Sequence, residues 1–418
     1  MRQMKESEIK WVGLIPFDWE VHPLYYYFNE HKLRNRFGAE DNLLSLSYGK
    51  IVRKDINTSE GLLPENFNGY NIIDDGDIVL RLTDLQNDKK SLRTGLATEH
   101  GIVTSAYVTI RPSRKLSSRY FHYLLHAYDV AKVLYNMGNG VRQGLNFSEL
   151  SKLLLVAPPK EEQETIADFL DSKCAEIDAL IADVQSQVDT LEQYKRSFIT
   201  EIVAKGLNPN VGMKDSGIQW IGMIPTHWEC VRGKYILKYI QKPVRDDDGV
   251  ITCFRDGEVT LRSNRREEGF TMADKEIGYQ GIDVGDLVVH GMDGFAGAIG
   301  ISDSRGKASP VLNVLDTKQC KRYIMYFLRS MAYNDVFVAL ATGIRVRSCD
   351  LRWNKLSELF YPLPPLDEQE AIVAKIDEVI EKTNCVIADK KAQVEVLESY
   401  KKSMIFEYVT GKKEVPCQ

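Results

Sequence analysis

The chain has 418 residues, 44% of them hydrophobic and 27% charged, which excludes a disordered tail or a membrane-embedded bundle and provides enough length for two or three domain cores. Its net charge of −5 argues against a uniformly basic nucleic-acid binder. No apolar run approaches the ~18–20 residues of a membrane span, and the opening MRQMKESEIKW lacks the apolar core of a signal peptide, so a cytoplasmic protein with seven reduced cysteines is expected.

The first recognisable block is WVGLIPFDWEV from Trp11. Residues 20–155 then read as mixed α/β. The stretches NIIDDGDIVLRL around Asp77 and GIVTSAYVTI around Tyr107 are short apolar strands, with Asp-Gly and Gly-Asp marking their turns. Basic and amide side chains gather at the expected loops of this segment: Arg53 and Lys54, Arg93 after Lys89 and Lys90, and Asn139, Arg142 and Gln143 in NGVRQG. Arginine beside asparagine and glutamine supplies the donors that read guanine and adenine edges in the major groove.

At PPKEEQETI from Pro158 the period changes to alternating steps of three and four: Ile177, Ile181, Val184, Val188, Leu191, Phe198 and Ile202, interrupted by Lys195. No proline or glycine falls within residues 160–205, so the spacing predicts one helix about 60 Å long with a narrow seam suited to another helix.

The chain then repeats itself. WIGMIPTHWECV begins at Trp220, 209 residues after Trp11. PPLDEQEAI from Pro364 and LESYKKSMIFEYV from Leu397 each follow their first copies by 206. Between the blocks lies a second mixed segment, including GIDVGDLVVHG around Asp286. It shares only a faint skeleton with the first: Gly76-Asp77 with Gly285-Asp286, and Tyr120 and Tyr123 with Tyr323 and Tyr326. Its basic and amide groups are Arg262, Asn264, Arg265 and Arg266, then Arg345 and Arg347. The second helix predicts a seam of Ile372, Ile376, Val379, Val386, Val394, Leu397 and Met404. Connectivity makes the two helices antiparallel, giving an α+β protein of two α/β modules separated by a coiled coil and related by a pseudo-two-fold. The expected domains are 1–157, 158–210, 211–363 and 364–418. The two helices carry eleven acidic against five basic and ten against six side chains, so the rest of the chain is net basic.

Catalytic signatures are missing. There is no GxxxxGK[ST] phosphate loop, no HExxH and no CxxC, and the Pro-Pro pairs in VAPPK and PLPPL lack the Asn or Asp and the aromatic of an adenine methyltransferase pocket. GFAGAIG from Gly294 reads as a glycine-rich hairpin, and D-x-K triplets at Asp88, Asp171, Asp316 and Asp389 are the kind expected by chance in a charged chain.

The duplicated WxGxIPxxWE openings, the PPxxEQxxI junctions and the helix ends SFITEIV from Ser197 and SMIFEYVTGK from Ser403 resemble the specificity subunits of type I restriction-modification systems over essentially the whole chain. The resemblance implies two target recognition domains that each read half of a bipartite, asymmetric DNA site, and a subunit without catalysis, metal or cofactor of its own. It implies two modification subunits docked around the helices, methylating adenine at N6 with S-adenosylmethionine, and restriction subunits that use ATP and Mg2+ for translocation and cleavage. On the helices, Gln163, Tyr194, Lys195, Gln369, Tyr400 and Lys401 are the candidate partner contacts. Arg142 in GNGVRQGLNFSEL corresponds to Arg347 in GIRVRSCDLRWNKL, where the tight glycine spacing is absent. The alternative reading is a coiled-coil protein-binding adaptor without DNA contact.

Overall fold

The computed structural model describes residues 2–56, 66–85, 92–137, 144–265, 277–340 and 351–416. The chain forms two compact units, Met1–Val184 with Ala392–Gln418, and Gln185–Lys391. The second unit is contiguous and one repeat period long; the first is the same kind of unit with the chain termini falling inside it. Both boundaries cut through the long helices, not at the module ends.

In the first unit a four-stranded antiparallel sheet runs in the order Thr94–Leu96, Ile78–Leu80, Val108–Pro112, Phe28–Glu30. Successive strand residues face opposite sides. Ile78, Leu80, Ile110 and Phe28 therefore join the main core, while Val79 joins a smaller cluster with Leu44, Ile73, Ala97 and Val103. The main face is covered by the helix Ser118–Val130, capped by the Ser117 side chain and burying Tyr120, Phe121, Leu124, Leu125 and Tyr128.

The second unit uses the same plan with different residues. Its sheet order is Ile299–Ile301, Leu287–His290, Leu312–Thr317, Leu237–Tyr239. Leu287 and Val289 face the main core and Val288 the smaller one. The covering helix is Lys321–Tyr333. The GFAGAIG segment is the connection of a hairpin. A side chain at Gly300 would place its Cβ 1.9 Å from the Gly257 carbonyl, so this glycine serves close backbone packing.

The long helices are Lys160–Lys205 and Leu366–Val409. Inside the first unit, Phe169 packs 4.6 Å from Tyr408 and Lys401 donates to Asp178 at 2.6 Å. Inside the second, Lys195 donates to Asn384 at 3.0 Å and Lys390 to Gln187. In each unit the partner's number falls as the first rises, so the segments are antiparallel. The seam departs from its expected phase at two places. Val386 is 43% exposed, whereas Thr383 and Ile387 are buried, continuing the three-four steps from Ile376. Near the end of the first helix Ile199 and Val203 are more deeply buried than Phe198 and Ile202, because there the helix meets the second module.

Each module is clasped to a helix end by the same set of contacts. The Tyr120 hydroxyl sits 2.9 Å from the Val409 carbonyl and 3.1 Å from that of Val156; Tyr323 sits 2.9 Å from the carbonyls of Val203 and Pro362. The Trp19 indole donates to Glu162 and the Trp228 indole to Glu368, each at 3.1 Å. Both helices run out at a glycine in the left-handed region, Gly411 against Pro16 and Trp19, and Gly206 against Trp228. Among the described residues no helix is long and apolar enough to cross a membrane.

Candidate nucleic-acid interface

The basic residues expected to meet DNA fall into three groups. Asn139, Arg142, Gln143, Arg266, Arg345 and Arg347 lie outside the described residues. Arg53, Lys54, Arg262, Asn264 and Arg265 lie at the module surfaces, but most are held locally. Arg53 donates to Glu99 at 2.7 Å, Arg262 to Thr252 at 3.4 Å and Asn264 to Thr260 at 2.8 Å. Arg265 pairs with Asp256 at 2.7 Å and covers the Phe254 ring at 4.2 Å. Lys54 is exposed.

Arg93 is a correction. It is fully buried, its guanidinium donating to the carbonyls of Arg81, Thr83 and Asp84 and to the Tyr135 hydroxyl. A buried cation tied to three carbonyls organises the loop instead of reaching a phosphate. The long-helix candidates divide likewise. Gln163 and Gln369 are buried within the clasp, Gln163 bonding the Ser117 amide and the Pro158 carbonyl, and Gln369 the Cys320 amide and the Pro364 carbonyl, so neither faces a partner. Lys195 and Lys401 bridge between helices, whereas Tyr194 and Tyr400 stay more than half exposed. The Trp–Glu pairs of the clasp were missed from sequence; their signal was the Glu preceding Gln in both PPxxEQ blocks, paired with the second Trp of both openings.

Each module also carries an acidic corner at its Gly-Asp turn. In the first, Asp74, Asp77 and His31 lie at metal-like spacing, but Arg111 already occupies the corner, bonding Asp77 and Asp74 at 2.6–2.7 Å. His100 also pairs with Asp74, which holds that carboxyl below the ordinary range and raises the imidazole. The second module places Lys242 between Asp283 and Asp286, and Arg305 between Asp283 and Asp248. These cations bring Asp283 down to about 2. A cation at the same corner of both modules, supplied by different residues, fits an ion-pair lock for the turn. A cavity of about 780 Å³ lies in the second unit. Its arginines are engaged: Arg255 with Asp293, Arg329 with the Asp256 carbonyl, and Arg196 over the Tyr333 ring.

On the first module's covering helix, burial lowers His122 to about 3, and burial together with Lys401 and Lys402 lowers His126 to about 4. Both stay neutral in the folded unit while an unfolded chain protonates them near 6.5. Stability from this source is therefore complete above pH 6.5 and falls as pH drops below it, by about 2 kcal/mol per histidine at pH 5. Chemical denaturation between pH 7 and pH 5 is expected to show this slope in the wild type and a flatter one in a His122→Phe/His126→Phe variant. Equal slopes would remove the histidines as its cause.

Residues 63–190 match the family model described as the type I restriction modification DNA specificity domain. Two specificity subunits of Methanocaldococcus jannaschii are related along the chain. The MjaX type I restriction enzyme subunit is 24% identical over 98% of this chain and 96% of its own length, and the MjaVIII subunit is 24% identical over 75% and 74%. Among solved structures, a chain from a study of complex assembly and conformational transition of the type I R-M system superposes with a TM-score of 0.66 at 15% identity, covering 96% of this chain and 99% of its own. The matched domain and the relatives thus make this chain similar to type I restriction enzyme specificity subunits, and the solved structure shares its fold.

Proposed function

We propose that this chain is a non-catalytic DNA-reading subunit whose two modules each recognise one half of a bipartite, asymmetric site. In this reading two modification subunits dock around the long helices and methylate adenine at N6 with S-adenosylmethionine. Restriction subunits add cleavage driven by ATP and Mg2+. The match of residues 63–190 to the DNA specificity domain model, and the similarity to specificity subunits along the chain, support a DNA-recognition role. The observation that carries the two-half-site reading is one frame used twice with different surfaces. Sheet order and clasp repeat, while the exposed hairpins and the cations of the acidic corner differ.

Long-read sequencing of methylated adenines, with and without this gene, tests the reading. The expected result is one interrupted motif that depends on the gene, and exchange of residues 211–363 for those of a relative should change one half of it only. A motif unaffected by deleting the gene would leave the protein-binding adaptor as the reading.

A further inference from the structure

The first module carries a two-stranded hairpin with an exposed tip. Strands Leu44–Ser47 and Lys50–Arg53 pair in the register Ser47↔Lys50, leaving Tyr48 and Gly49 as the whole turn. Their φ angles are +46° and +78°, the pattern of a type I′ turn, for which asparagine-glycine is the favoured pair. A tyrosine is costly there, since a bulky side chain crowds its own backbone at positive φ. It gains nothing by packing, because Tyr48 is 87% exposed.

The hairpin has a clear inner and outer face. Leu44, Leu46 and Ile51 face inward, and Gly95 and Gly101 permit this close approach, since a Cβ at Gly95 would lie 2.6 Å from Leu46 and one at Gly101 2.7 Å from Leu44. Alternation turns Ser45, Ser47, Lys50 and Val52 outward. From Leu43 to Lys54 the sequence LLSLSYGKIVRK contains three cations and no acid. The nearest acidic contact of the tip is Asp178, 3.6 Å from the exposed Lys50 ammonium.

In the second module the equivalent strands, Ile251–Cys253 and Val259–Leu261, are joined by a longer loop that is fastened down. Arg329 donates to the Asp256 carbonyl, and Arg265 binds Asp256 and Glu258 while covering Phe254. One hairpin is spent on its own fold; the other keeps its Tyr48 tip, Lys50 and Val52 exposed, with the Ser45 and Ser47 hydroxyls half-buried beside them. A two-stranded ribbon of this width enters the DNA major groove, where such groups meet phosphates, base edges and thymine methyls.

We propose that residues 44–53 form a β-ribbon that the first module inserts into the major groove, with Tyr48 at its tip as a specificity-determining contact. This rests on the DNA-reading function proposed above, and the test separates the two. Full-length wild type and Tyr48→Asn are compared for thermal unfolding, for binding to a pool of random-sequence duplexes, and for dimethyl sulfate protection of guanine N7 on duplexes selected from that pool.

Asparagine suits the turn, so Tyr48→Asn should raise Tm by about 2–4 °C. It should also weaken binding to the selected duplexes roughly tenfold or more and expose guanines that wild type protects. Lys50→Gln, a surface change that folds in any case, should lower the salt slope of binding by about one. If wild type binds no duplex even at low salt, the DNA-reading function itself falls. If wild type binds while Tyr48→Asn keeps its affinity and protection pattern, or Lys50→Gln keeps the salt slope, the ribbon proposal is overturned and DNA reading stands.

Discussion

A fragment of residues 1–210 is expected to form a two-fold dimer. In the intact chain the first unit is completed by residues 392–418, whose Met404, Ile405, Tyr408 and Val409 lie in its core. The fragment lacks them but carries their repeat counterparts, with Ile199 and Val203 buried in the equivalent place of the second unit. Its first helix is continuous from Lys160 to Lys205 without proline or glycine, so the end cannot bend back onto its own module. Another copy can supply the missing end, and the exchange is reciprocal, which is the definition of an isologous contact. With modification subunits, such a dimer should methylate a palindromic bipartite site built from the first half-site in inverted repeat. Mass photometry of the fragment followed by methylome sequencing checks both steps. A stable, folded monomer would overturn the antiparallel clasp as the source of assembly.

Ending the chain after Lys402 is expected to unfold the first module while sparing the second. The cut removes four buried hydrophobic side chains, each contributing roughly 1.5–3 kcal/mol, or about 6–12 kcal/mol in all. It also removes the Val409 carbonyl that satisfies Tyr120 and the Gly411 turn against Pro16 and Trp19. A loss of that size rivals the whole stability of a domain. Hydrogen exchange should show protection collapsing in residues 20–157 and persisting in 211–363. Unchanged protection in both would mean that the last turns of the second helix do not hold the first module.

Much of this was legible before folding. The duplication, the two helices and their antiparallel pairing follow from period and order, because an apolar stripe at three-four spacing has no stable state except against another surface. The expected pairing of Tyr120 and Tyr123 with Tyr323 and Tyr326 has a physical reason in the structure: the first of each pair seals the helix end, and the second reaches Asp171 or Asp377. The phase of the helix ends was not legible. Val386 and Ile387 are equally apolar neighbours, and only the partner helix decides which one turns inward.

The sequence by itself determined the repeat, the helical period and the absence of familiar catalytic signatures, since these are properties of residue type and spacing. Only the tertiary structure decided which cations are surface and which are core. Arg93 and Arg53 both stand at an end of a short strand, yet one is enclosed by three carbonyls from residues 81–84 and the other stands at an exposed edge. It also decided that the C-terminal residues complete the module begun at the N-terminus. Burial is set by what arrives from elsewhere in the chain, and no local pattern encodes that arrival.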